Sequence, residues 1–184
     1  MKSIIMAGGK GTRMGGIEKA LIEIGGITLL ERVADALQDT EIAVAVTKNT
    51  PETWKKAEEL GLNTIRTPGK GYHEDLLFLS KMFKEFLCAS ADLPFLNKKL
   101  VNDVIKKYDE VKRPVCVVIA KEDYDRIGFK GSYCKEGLVP VGLNIVAEGE
   151  DYLYGIKGKE AINVNTRNDM EEAGKWMQKQ MKIE

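Results

Sequence analysis

Short β-branched runs alternate with stretches of helical periodicity along the whole chain, and this alternation constrains the fold more than any other feature. The spacing predicts strands over residues 2–6, 42–46, 64–66, 86–91, 115–120, 139–146 and 161–164. Ile27, Leu29, Leu30, Val33, Ala34 and Leu37 recur at helical spacing and predict a first long helix. A second begins at Thr50-Pro51-Glu52, where the hydroxyl offers a cap and proline costs no amide bond, and stops at Gly61. Further helices are expected over 74–86 and from a cap at Asn97 through Tyr108. The last covers 166–179, with Asp169 three residues after the candidate cap Thr166. Residues 121–138 are polar, dotted with glycine and expected to be irregular. Such alternation implies an α/β fold whose mostly parallel sheet is covered on both faces, with ligands at the carboxyl ends of its strands.

No internal repeat or linker interrupts this pattern, so one domain over residues 1–184 is expected. Lys plus Arg equals Asp plus Glu at 28 each, a balance that gives no global attraction to nucleic acid or an anionic membrane. No stretch approaches the ~18 apolar residues that span a bilayer, and the first apolar run is too short for a signal peptide. Cys88, Cys116 and Cys134 are far apart with no CxxC pair. Cys88 and Cys116 lie in apolar runs and read as buried free thiols. A cytoplasmic protein is expected; whether it is a monomer or a homo-oligomer stays open.

The segment Ala7-Gly8-Gly9-Lys10-Gly11-Thr12-Arg13-Met14-Gly15-Gly16 follows the first strand directly. Five glycines in nine positions free the backbone for positive φ and let its amides approach an anion. Lys10, Arg13 and Lys19 accompany it, which suits a polyphosphate. Two familiar phosphate loops are excluded. A Walker A loop starting at Gly11 needs Lys-Ser/Thr after Gly16, where Ile17-Glu18 stands, and a dinucleotide loop starting at Gly9 needs glycine at Met14. What remains, Gly8-Gly9-Lys10-Gly11-Thr12-Arg13-Met14 with Lys19, resembles the signature of nucleotidyltransferases that make nucleotide sugars and the molybdenum-cofactor dinucleotide. The resemblance implies a three-layer, Rossmann-like nucleotidyltransferase fold. It implies that the loop from Ala7 to Thr12 wraps a triphosphate and that Arg13 and Lys19 bind phosphates near the reacting centre.

Three further segments carry polar side chains. Ala91-Asp92-Leu93-Pro94 sets one carboxylate at the exit of an apolar strand, where the family has an aspartate that ligates Mg²⁺; a turn aspartate before Pro94 is the alternative. Asn163-Val164-Asn165-Thr166 resembles a late family motif, and period-two spacing puts Asn163 and Asn165 on one side of an extended segment. Their amides either bind metal, phosphate or metal-bound water, or order the turn into the last helix. Finally, Gly69-Lys70-Gly71-Tyr72-His73-Glu74-Asp75, with Thr47-Lys48-Asn49-Thr50-Pro51 upstream, resembles archaeal GTP:adenosylcobinamide-phosphate guanylyltransferases.

That resemblance implies GTP and adenosylcobinamide phosphate as substrates in cobalamin biosynthesis, with Mg²⁺ as cofactor. Ala7, Gly8, Asn49 and Asp75 are candidates for reading the base, although Glu74 and Asp75 equally suit the first turn of a helix. His73 reads as a surface or loop-ordering residue, because an acceptor phosphate with second pKa near ~6 needs no general base at neutral pH. Asp123, Tyr124, Asp125 and Arg126 are candidates for the acceptor side. The implied reaction is in-line attack by the acceptor phosphate on the α-phosphorus, served by Arg13, Lys19 and Asp92. Two other readings stand beside it: a nucleotidyltransferase for molybdopterin or a sugar phosphate, and a GTP-binding regulatory module without turnover.

Overall fold

A seven-stranded sheet lies at the centre of the computed structural model, which describes residues 1–9, 11, 15–128 and 134–181. The first half of the chain runs through β1 (Lys2–Met6), a hairpin of β2 (Glu23–Ile24) and β3 (Ile27–Thr28), then α1 (Leu29–Ala36), β4 (Glu41–Val46), α2 (Pro51–Glu59) and β5 (Asn63–Arg66). It continues with α3 (Tyr72–Met82), β6 (Phe86–Ser90), α4 (Lys98–Val111), β7 (Val115–Ala120) and α5 (Lys121–Arg126). It ends with β8 (Leu138–Val146), β9 (Tyr152–Ile156) and α6 (Arg167–Met181). The strand order is β5-β4-β1-β6-β8-β7-β9, with β8 antiparallel to both neighbours and every other pairing in the sheet parallel. The expected mostly parallel α/β sheet is present.

Period-two alternation divides the sheet residues between two cores. Ile5, Val44, Leu87, Val117 and Leu143 face Leu29, Leu30 and Val33 of α1, Val104 of α4 and Ala173 of α6. Ile4, Ala45, Phe86 and Cys88 point the other way and meet Leu79 of α3. Fully buried leucines such as Leu29 and Leu30 each contribute roughly 1.5–3 kcal/mol of transfer free energy. Three layers result.

Several local expectations need correction. Ile27 is not helical: with Thr28 it pairs against Glu23–Ile24, and α1 starts only at Leu29. Its start is a capping box, in which the Thr28 hydroxyl accepts from Glu31 N and the Glu31 carboxylate accepts from Thr28 N. Thr50 does occupy the cap position of α2, but its hydroxyl is committed to Thr47 and caps nothing. Gly61 ends that segment as expected, with φ of +69°. The third helix starts at Tyr72 and ends at Met82, earlier at both ends than periodicity indicated.

Within 121–138 the first six residues form α5, a polar helix whose turns are laced by Lys121–Asp125 and Arg126–Asp123 pairs rather than by an apolar stripe. Strand β9 was not expected, because exposed Leu153 between two half-buried tyrosines conceals its alternation; the β7 backbone supplies its register. Residues 161–164 do not join the ladder. A 3-10 turn over Lys159–Ala161 precedes them, and Val164 N donates to Asp92 O at 2.9 Å.

Candidate active site

Three strands deliver their carboxyl ends to one place. Ala7 N donates to Ala45 O and Ala91 N to Met6 O, so the exits of β1, β4 and β6 remain in step beyond the strands themselves. The cleft they open has a volume of about 370 Å³. Ala7, Gly8 and Gly9 line it on one side and Gly69, Lys70 and Gly71 on another, with Lys19, Asp75 and Asp92 adding charge. The glycines are required by close approach. A Cβ on Gly8 would lie 2.4 Å from Thr47 Cγ2, and one on Gly11, at φ +59°, would lie 2.0 Å from the Ile17 carbonyl oxygen.

Lys19, Asp92, Asn163 and Asn165 converge into one cluster. The Lys19 ammonium donates to Asp92 Oδ2 at 2.6 Å, to Asn165 Oδ1 at 3.0 Å and to Val164 O at 3.4 Å. The other Asp92 oxygen accepts from Ser90 Oγ at 2.7 Å and from Asn163 Nδ2 at 3.3 Å. Burial by itself would raise the Asp92 carboxyl pKa. Only together do the Lys19 charge and the hydrogen bonds from Lys19, Ser90 and Asn163 outweigh it, and they hold the carboxyl below its ordinary value. Asn163 also donates to Val141 O at 2.9 Å, which ties the cluster to β8.

Of the two late amides, Asn163 therefore reaches the strand-exit carboxylate and Asn165 the Lys19 ammonium, while the turn into α6 is ordered by a different residue. Asp169 Oδ2 accepts from Asn165 N and Thr166 N, and the Thr166 hydroxyl accepts from Asp169 N. Ser90 was missed by sequence reasoning. Its signal is the Ser90-Ala91-Asp92 spacing, which puts hydroxyl and carboxylate on one side of the strand exit.

Asp75 is buried, and its Oδ1 accepts from Gly69 N at 2.8 Å, so it orders the loop before α3. Its Oδ2 faces Gly8, 3.7 Å from the position of a Cβ there. Asn49 lies behind Gly69; its Nδ2 is buried and makes no hydrogen bond among the described residues. Lys10, Thr12 and Arg13 lie outside the described residues. His73 is exposed, packs edge-on against the Tyr72 ring and does not line the cleft. The acceptor-side candidates fare less well. Tyr124 is buried in the main core, and the charges of Asp123, Asp125 and Arg126 are engaged along α5 itself.

As a metal site the cluster offers hard oxygen donors: the Asp92 carboxylate with the amide oxygen of Asn165 beside it. No group of three or more His, Cys, Asp and Glu side chains placed to hold a metal ion occurs among the described residues. That donor set fits Mg²⁺, which takes one or two carboxylates and completes its shell with phosphates and water.

Residues 3–150 match the family model described as the MobA-like NTP transferase domain. The chain is 35% identical to "Adenosylcobinamide-phosphate guanylyltransferase" of Methanocaldococcus jannaschii, over 97% of this chain and 98% of that one. It is 30% identical to a "Probable molybdenum cofactor guanylyltransferase" of Clostridium perfringens, over 66% of each. Among solved structures, molybdopterin-guanine dinucleotide biosynthesis protein A from Archaeoglobus fulgidus superposes with a TM-score of 0.70 at 16% identity, covering 97% of this chain and all of that one. A 4-diphosphocytidyl-2C-methyl-D-erythritol synthase from Anaerococcus prevotii gives 0.71 at 13% identity, covering 96% and 97%. These superpositions agree in fold, and the sequence matches carry the assignment: the chain belongs to the MobA-like NTP transferase domain family.

Proposed function

We propose that this protein is a guanylyltransferase, acting as one domain over residues 1–184, that moves GMP from GTP to adenosylcobinamide phosphate and releases pyrophosphate. The observation that carries nucleotidyl transfer is the Lys19–Asp92–Asn163–Asn165 cluster at the strand exits beside a glycine-walled cleft. The acceptor is supported by the full-length match to the Methanocaldococcus jannaschii protein, against partial coverage of the molybdenum-cofactor relatives.

In this reading an acceptor phosphate oxygen forms a bond to the α-phosphorus of GTP. The bond from that phosphorus to its bridging oxygen breaks, and pyrophosphate leaves with the electron pair. Positioning and charge neutralisation do the catalytic work. Glycine-loop amides hold the phosphates, while Lys19 and Arg13 offset charge growing at the α-phosphate and the leaving group. Asp92 would hold Mg²⁺ with Asn165 nearby, and the ion would neutralise phosphate charge when bound. Guanine presents an N1–H/N2–H donor edge and an O6 acceptor. Asp75 Oδ2 is suited to the first, whereas Asn49 lies behind Gly69 and does not line the cleft.

The test is pyrophosphate release from each of the four nucleoside triphosphates with adenosylcobinamide phosphate, molybdopterin or a sugar phosphate as acceptor. Turnover with GTP and the cobinamide phosphate alone is expected. Turnover with molybdopterin instead would reassign the acceptor, and GTP binding without turnover on any acceptor would make the protein a regulatory module.

A further inference from the structure

The N-terminus of α2 is capped from a distant part of the chain. Pro51, its first residue, has no amide hydrogen, so the first free donors are Glu52 N and Thr53 N. The adjacent Thr50 hydroxyl accepts from Thr47 N at 3.0 Å and is spent. The Glu18 carboxylate does the capping instead: Oε1 accepts from Glu52 N at 3.1 Å and Oε2 from Thr53 N at 2.6 Å. Both bonds are charge-assisted, and the carboxylate sits at the positive end of the helix.

Glu18 is also the residue next to Lys19. It starts the 3-10 turn Lys19–Leu21, with Leu21 N donating to Glu18 O at 2.9 Å. The two neighbouring side chains are thus anchored on separate elements. Glu18 grips the backbone of α2, and Lys19 reaches Asp92 and Asn165 at the strand exits. Upstream lies a run with five glycines in nine positions, each of which lacks a side chain. The Glu18 bridge ties the residue beside the lysine to the start of α2.

We infer that Glu18 is a positioning residue for nucleotidyl transfer: by bridging to the first free amides of α2 it sets the location of the Lys19 ammonium at the α-phosphate. This rests on the nucleotidyl-transfer reading above. A Glu18 that merely stabilises α2 would affect folding without acting through Lys19, and the two roles separate in a double-mutant cycle.

Wild type, Glu18→Ala, Lys19→Ala and the double variant are compared in kcat and KM for GTP, in GTP affinity without acceptor, and in thermal midpoint. Glu18→Ala is expected to lower kcat by about ten- to a hundredfold, the scale of a small misplacement of a reacting group. In the Lys19→Ala background the same change should alter kcat by less than about twofold, because residues acting as one unit are not additive. Glu18→Gln, which keeps one acceptor oxygen, should recover part of the loss, and it replaces Glu18→Ala throughout the cycle should that variant fail to fold. The thermal midpoint should fall equally in both backgrounds. GTP affinity should show the same non-additivity, and since it needs no acceptor it reads out Glu18 even where the proposed acceptor fails. Equal losses of kcat or of GTP affinity in both backgrounds, or a lowered midpoint with unchanged kcat, would overturn the positioning role.

Discussion

Lys19 Nζ and Asp92 Oδ2 lie 2.6 Å apart, a pair formed across 73 residues of sequence between the glycine loop and the exit of β6. The cation assigned to phosphate and the carboxylate assigned to metal thus hold each other in place. Lys19→Ala should lower kcat by about 10²–10³-fold, as removal of a preorganised charge at a developing anion does. Asp92→Asn should abolish metal-dependent turnover while GTP still protects the protein from heat. Chelation by EDTA should stop the wild-type reaction, and added Mg²⁺ should restore it. Initial rates of pyrophosphate release decide each case, and an unimpaired rate in either variant removes the assigned role.

Base selection is predicted to depend on Asp75. Asp75→Asn removes the acceptor offered to the guanine N1–H/N2–H edge, so kcat/KM for GTP should fall by about ten- to a hundredfold, roughly the 1–3 kcal/mol of an unsatisfied buried group. The rate with ATP should change far less. A parallel fall with both triphosphates would leave Asp75 as the residue that orders Gly69 and nothing more.

Gly11→Ala should disable the loop without unfolding the protein. Its new Cβ would meet a backbone carbonyl at 2.0 Å, which no rotamer change relieves, at a φ that L-residues rarely adopt. Loss of most GTP affinity in calorimetry with a thermal midpoint within a few degrees of wild type is expected. Normal affinity would show that the loop tolerates the turn being rebuilt.

The capping box of α1 makes stability depend on pH. The Thr28 hydroxyl and amide, and then Lys56, hold the Glu31 carboxyl at about 2, below its ordinary 4.5. A depressed folded value contributes stability that is complete above the unfolded pKa and is lost as pH falls from about 4.5 towards 2. Glu31→Gln should cost about 1 kcal/mol at pH 6, the usual difference between a charge-assisted hydrogen bond and a neutral one. The gap to wild type should narrow through that acid window in urea titrations. A gap unchanged between pH 6 and pH 2.5 would contradict the assignment.

Thiol labelling separates the three cysteines. Burial pushes Cys88 up to about 12, with the Tyr72 hydroxyl opposing it weakly, and burial followed by the Asp151 charge pushes Cys116 up to about 11. Cys134 is exposed. At pH 8 the folded protein should release one thiol's worth of chromophore quickly from a disulfide reagent, and three after unfolding. Cys134→Ser should abolish the fast phase; a persistent fast phase would place one of the other thiols within reach.

Much of this arrangement was legible along the chain because it is local. Strand alternation follows from which neighbours are apolar, so β1, β4 and β7 appear close to their expected bounds. Asn97 caps α4 through Leu100 N, three residues away, and the Thr166–Asp169 box is equally short-range. Where the local signal was ambiguous, neighbours in space decided. Ile27 fits a helical pattern, yet it pairs with Ile24 across a two-glycine turn. Thr50 suits a cap, yet its hydroxyl turns back to Thr47 and leaves the amides of α2 to Glu18.

The glycine loop, the strand-exit aspartate and the two late asparagines were each determined by sequence alone, since a left-handed turn, a strand end and a period-two amide pair depend on residues side by side in the chain. Their assembly was not. Lys19 meets Asp92 because β6 is hydrogen-bonded to β1, and Asn163 meets it because the segment before α6 crosses that strand exit, held by Val164 N on Asp92 O. Backbone pairing over tens of residues sets these distances, and local propensity carries no information about which strands lie together. The sequence named the candidate groups; only the tertiary structure decided that they hold one another.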